Sequence, residues 1–133
     1  MSYTSYDRVK AALEHREPDR VPFDLGGALV TAVNINALRK LKRLLGMKTE
    51  VQLWDKVTQS AVTDDETADW LGVDVRNVAP NPPSSPGLAQ DLGLVGNYYR
   101  LSDEWGMGWQ MPKESGHYYD LYLSPLAHAE TVK

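Results

Sequence analysis

The chain has 133 residues, is 42% hydrophobic and lacks cysteine, which fits one ordinary domain or part of one and excludes disulfides and thiolate chemistry within these residues. A net charge of -4 gives no global field for holding a nucleic-acid backbone. There is no apolar run of about 18 residues and no basic-then-apolar N-terminal segment, so the expectation is a cytoplasmic protein without a membrane span or secretory signal.

Residues 4–15 read as an amphipathic helix with Tyr6, Val9, Ala12 and Leu13 on one face, Thr4 as cap and Asp7 in a capping-box position. Pro18 stops helical continuation and Pro22 lacks an amide hydrogen, so a first strand is expected at Val21–Leu25, ending on Gly26 and Gly27. A second helix over 33–45 is expected to bury Ala37, Leu38, Leu41, Leu44 and Leu45, to present Arg39, Lys40, Lys42 and Arg43 outward, and to stop at a left-handed Gly46.

A third helix over 50–61 is expected to bury Leu53, Trp54, Val57 and Ala61. A fourth starts at Thr63 with Glu66 as capping box and ends at Gly72; Asp64, Asp65 and Glu66 serve there as capping and dipole partners rather than as chemistry. Val73–Val78 reads as a second strand, with Asp74 and Arg76 on one face and close enough to pair. The proline-rich APNPPSSPG, 79–87, is a loop.

Beyond it, Trp105, Met107, Trp109 and Met111 alternate, PKESG turns, and Tyr119, Leu121 and Leu123 alternate again, which predicts an antiparallel hairpin with a buried aromatic face. His15, His117 and His128 share no metal-ligand spacing, so no metal site is expected. Ser124-Pro125 looks like a helix start. Two strands separated by helices imply a parallel, right-handed crossover and hence an α/β fold. With open sheet borders and an element beginning as the chain ends, a fragment is favoured over a complete fold.

The succession RVKAALEHREPDRVPFDLGG, a leucine-rich helix, DDETADWLGVDVRNVAP, DEWGMGWQMP and HYYDLYLSPLAHAETV resembles the N-terminal third of the uroporphyrinogen decarboxylase superfamily, most closely the branch grouped with corrinoid and methylcobamide methyltransferases. The resemblance implies the N-terminal portion of a (β/α)8 TIM barrel, which needs about 250 residues, with an inserted antiparallel β-hairpin. Residues 1–133 then form a single partial domain: helix 1–17, barrel strands and helices 18–82, loop and hairpin 83–125, and a helix start at 126–133.

By the same resemblance, Asp24, Gly26, Gly27, Thr31, Asn34 and Asn81 line the barrel mouth; the alternative for Gly26 and Gly27 is that they only make a sharp strand-to-helix turn. His117 stands either at that mouth or on the rim of the hairpin. The family's decarboxylases carry paired arginines after the first strand, where this chain has DLGGALVT, and an aspartate after the second, where it has Pro80-Asn81. An amide cannot offset developing positive charge as a carboxylate does.

These departures favour cobalamin-dependent methyl transfer, with a corrinoid as substrate or partner cofactor of the full-length enzyme. Uroporphyrinogen decarboxylation in porphyrin biosynthesis is one alternative, and a non-catalytic, self-associating module is another. The methyltransferases' zinc ligands lie outside this chain, so the chain alone is expected to be inactive. The implied partners are a tetrapyrrole or corrinoid protein and a second copy of the chain.

Overall fold

The computed structural model describes residues 3–80, 87 and 89–130. They fall into two compact units, Met1–Asp55 with Ser60–Ala79 and Lys56–Gln59 with Pro80–Lys133. The described residues form three α-helices and two antiparallel sheets, of two and four strands. The expected barrel portion with its parallel crossover is therefore corrected: every strand pairing among the described residues is antiparallel.

In the first unit, helix α1 spans Ser5–Leu13 and opens on the expected Thr4–Asp7 capping box. Its inward face is not the expected one. Arg8 and Ala11 are buried, while Tyr6 and Leu13 are 71% and 77% exposed. The cause is Asp74, whose side chain is wholly buried and takes Arg8 Nη1 at 2.5 Å, while Asp19 takes Arg8 Nε at 2.6 Å. A buried carboxylate demands a cation more strongly than a nine-residue helix demands apolar cover.

The same aspartate explains why neither Val21–Leu25 nor Val73–Val78 is a strand. The two segments share one backbone bond, Asp74 N–H to Phe23 O at 2.8 Å. The Phe23 N–H donates to the Asp74 carboxylate at 2.9 Å. Pro22 contributes no donor, so a side chain finishes what a ladder would have continued.

Helix α2, Ile35–Leu44, starts on Asn34, whose Oδ1 accepts from Asn36 N–H at 3.0 Å. It ends before Gly46, which adopts the expected left-handed φ of 71°. Ile35, Leu38, Val51 and Ala61 form the core, with Val33 and Leu41 packed on it. Ala37 and Leu44 face solvent instead. Lys42 is also reversed: it is 2% exposed, bonded to Thr49 and Asp64 and 3.7 Å from Glu66.

The expected helix over 50–61 is a hairpin, β1 (Leu53–Asp55) with β2 (Ser60–Ala61). Val51, Trp54, Val57, Thr58 and Val62 favour the pleated state, and Gln59 at φ 56° reverses the chain between the strands. Val33 O accepts from Ala61 N–H at 2.8 Å, tying the start of α2 to β2. Helix α3, Asp65–Leu71, is capped by Asp64 through Thr67 N–H rather than by Thr63, and stops at Gly72 as expected.

The second unit is a meander of β3 (Gln90–Val95), β4 (Tyr98–Ser102), β5 (Gly108–Pro112) and β6 (Asp120–Leu123). The β5–β6 hairpin matches the expectation. Trp105, however, sits in a turn and is 75% exposed, and Met107 precedes the strand. Asp103 makes that turn: it accepts from Trp105 N–H, Met107 N–H and Trp109 Nε1–H at 3.0, 2.9 and 3.0 Å. Burial pushes its carboxyl up, but these donors hold it below its usual range.

Both edge strands carry a bulge. β3 uses two steps, Asp91 to Gly93, against one on β4, and β6 uses two, Leu121 to Leu123, against one on β5. Bulged edges twist away from partners, which replaces the open borders that the parallel reading required. Residues 125–128 form turns rather than the expected helix start.

Candidate functional site

The first unit holds a cleft of about 350 Å³ lined by Gly26, Trp54, Val62, Thr63, Asp65, Arg76, Asn77 and Ala79. The Asp24–Thr31 turn builds one side. Asp24 Oδ1 accepts from Gly27 N–H at 2.7 Å, Gly26 N–H donates to Thr31 O at 3.0 Å, and Thr31 Oγ1 accepts from Ala28 N–H at 3.1 Å. Hairpin β1–β2 brings Trp54, and the two residues after it bring Val62 and Thr63. The extended segment after α3 brings Arg76 and Asn77.

Gly26 lets these pieces meet. Its φ is 85°, and an added Cβ would stand 2.9 Å from Thr63 Cβ and nearer still to Thr63 Oγ1. Gly27 is equally confined, 2.6 Å from Val75 Cγ1. The substitution Gly26→Ala is expected to destabilise the first unit by about 1–3 kcal/mol and to displace Thr63. Gly46→Ala, also left-handed but with nothing within 4 Å of the added methyl, is expected to cost only about 1 kcal/mol. Urea midpoints of the two variants, compared at equal slope, check this.

Two kinds of wall face the cleft. Trp54, Val62 and Ala79 are apolar. Among the same lining residues, Thr63 Oγ1 is buried without a hydrogen-bond partner, and Asn77 Nδ2 reaches Gly27 O only at 3.4 Å. Buried polar atoms are almost always paired, so this hydroxyl is an exception at the edge of the cleft.

Each guanidinium nitrogen of Arg76 has one acceptor. Its Nη1 donates to Val73 O at 2.9 Å, Nη2 meets Asp69 at 2.5 Å and Nε meets Asp65 at 3.3 Å. The expected pairing of Asp74 with Arg76 is thus corrected, since Asp74 serves Arg8 and Arg20.

Of the residues singled out from the sequence, Asp24, Gly26, Gly27 and Thr31 come together in one turn, and Gly26 lines the cleft. Asn34 instead caps α2 and bridges Ser60. His117 is an exposed residue of the second unit, and Asn81 lies outside the described residues. Trp54, Thr63, Arg76 and Asn77 are not among the site residues expected from the sequence. Trp54 and Thr63 were assigned to helices, and only their β-branched and aromatic neighbours signalled otherwise.

Among the described residues no three His, Cys, Asp or Glu side chains are grouped to hold a metal ion. No helix there is long and apolar enough to cross a membrane. No protein-family model, curated protein or solved structure matches this chain.

Proposed function

We propose that this chain provides a substrate-edge site of an enzyme acting on a tetrapyrrole or its methyl group, most directly cobalamin-dependent methyl transfer. Its motif order resembles the uroporphyrinogen decarboxylase superfamily, and the cleft supports the corrinoid side of that resemblance. The single observation that carries this reading is the pairing of an apolar wall, Trp54 and Val62, with a polar wall of no net cationic character. That second wall comprises the unpartnered Thr63 hydroxyl, the Asn77 amide and an Arg76 already held by two carboxylates.

A corrinoid's rim is made of neutral amides, which suit hydroxyl and amide partners. Uroporphyrinogen's rim is made of carboxylates, which need uncompensated cations. At about 350 Å³ the cleft is at the small end of ligand sites, about 300–1,000 Å³, and accommodates one edge of a macrocycle. The bound corrinoid would supply the methyl group; Thr63 and Asn77 would hold and orient its rim, and Trp54 would exclude water from that edge.

The test is an absorbance titration with dicyanocobinamide. Saturable binding is expected, weakened roughly tenfold in Trp54→Ala, as loss of one aromatic contact of about 1.4 kcal/mol implies. Absence of any spectral change, or equal affinity of the variant, would end this reading.

A further inference from the structure

We infer that Asp65 and Asp69 are specificity-determining residues that keep Arg76 from taking an anionic ligand. This rests on the reading of the cleft as a macrocycle-edge site and adds how that site rejects the wrong rim.

Among the described residues, Arg76 is the cationic one lining the cleft. A guanidinium recognises a carboxylate by presenting two parallel N–H groups, and it needs a free fork to do so. Here all three nitrogens already have acceptors: Val73 O on Nη1, Asp69 on Nη2 and Asp65 on Nε. The two aspartates stand one turn apart on α3, so they reach the same guanidinium from one helix face.

Their side chains are 89% and 73% exposed, and neither caps the helix, which Asp64 does. Exposed ion pairs stabilise a fold very little. Their main effect is on charge: with both carboxylates in place the Arg76 side of the cleft is net negative, and a polycarboxylate meets repulsion and a guanidinium with three of its five N–H groups already taken. An uncharged amide rim is indifferent to both.

The experiment uses the full 133-residue chain with two probes, dicyanocobinamide for the neutral rim and uroporphyrin for the carboxylate rim. In D65A/D69A, uroporphyrin affinity is expected to rise roughly tenfold, the combined effect of two exposed charge pairs. Dicyanocobinamide affinity should not share that rise, and the uroporphyrin gain should shrink with added salt. Adding R76Q to that background should abolish the gain.

No gain in D65A/D69A, or the same gain with R76Q, overturns the inference while leaving the corrinoid reading intact. Failure of the unaltered chain to bind dicyanocobinamide removes the corrinoid reading and the inference with it. Circular dichroism of each variant, expected to match the parent, shows that α3 is retained.

Discussion

Asp74→Asn is expected to lower the stability of the first unit by about 3–5 kcal/mol, the range for breaking one partner out of a buried ion pair. The carboxylate is wholly buried and meets Arg8 at 2.5 Å and Arg20 at 2.7 Å. It also accepts from Phe23 N–H at 2.9 Å. An amide of the same shape retains one acceptor but presents N–H groups to arginines that can only donate. Arg8, buried on the inward face of α1, is left facing a neutral group. A small domain's whole margin is only about 5–15 kcal/mol, so the variant should show a large fall in urea midpoint, and α1 should be the first element to detach. A midpoint within experimental error of the parent would refute this account of why α1 turns its arginine inward.

The same carboxylate gives a pH signature. Burial pushes Asp74 up, but bonds from Phe23 N–H, the Ser5 hydroxyl, Arg8 and Arg20 outweigh it and hold the group down to about 2, from an ordinary value of 3.8. A folded value below the unfolded one means that the stabilisation is complete above pH 3.8 and is lost as pH falls through about 2. Asp19 and Asp64 shift the same way, so the parent protein's acid loss is a sum. The difference between parent and Asp74→Asn isolates one group: it should be constant near neutrality and narrow below pH 3.8.

Local signals were legible where one residue type answers one backbone need. Thr4 with Asp7, Gly46, Gly72 and the turn after Pro112 all stand where their chemistry put them. Gly96-Asn97 between Val95 and Tyr98 also carries a signal for the β3–β4 hairpin, which is absent from the expectations above. What periodicity did not reveal was facing. In α1 a buried ion pair, Arg8 with Asp74, turns the helix against its apolar pattern, and in α2 another, Lys42 with Asp64, adds a charge to a face that still buries Ile35 and Leu38; both partners lie far along the chain. The parallel sheet failed for a related reason: Val21–Leu25 and Val73–Val78 do come alongside, yet an aspartate side chain takes the amide that pairing would have used. The cleft inherits that difficulty, because Gly26, Thr63 and Arg76, far apart in the chain, line it together.

Lys42→Met is expected to cost about 3 kcal/mol, although it replaces a charged residue on an otherwise basic helix with one that is easier to bury. Lys42 Nζ bonds Thr49 and Asp64 and lies 3.7 Å from Glu66, with its side chain 3% exposed. Asp64 also caps α3 through Thr67 N–H at 2.9 Å, so the lysine links the core face of α2 to the start of α3. Removing it leaves Asp64 beside Glu66 without a cation. A methionine fills the volume but satisfies neither carboxylate. If the loss comes from stranding Asp64, the double variant with Asp64→Asn should lose less than the two single losses added, by a coupling of about 1–3 kcal/mol. Burial pushes Asp64 up while Lys42 and Thr67 hold it below its ordinary 3.8, so its contribution, complete above that value, should fade with acid in the parent and fade less in Lys42→Met. Strict additivity in urea unfolding would mean that the lysine acts through packing of its alkyl stem alone.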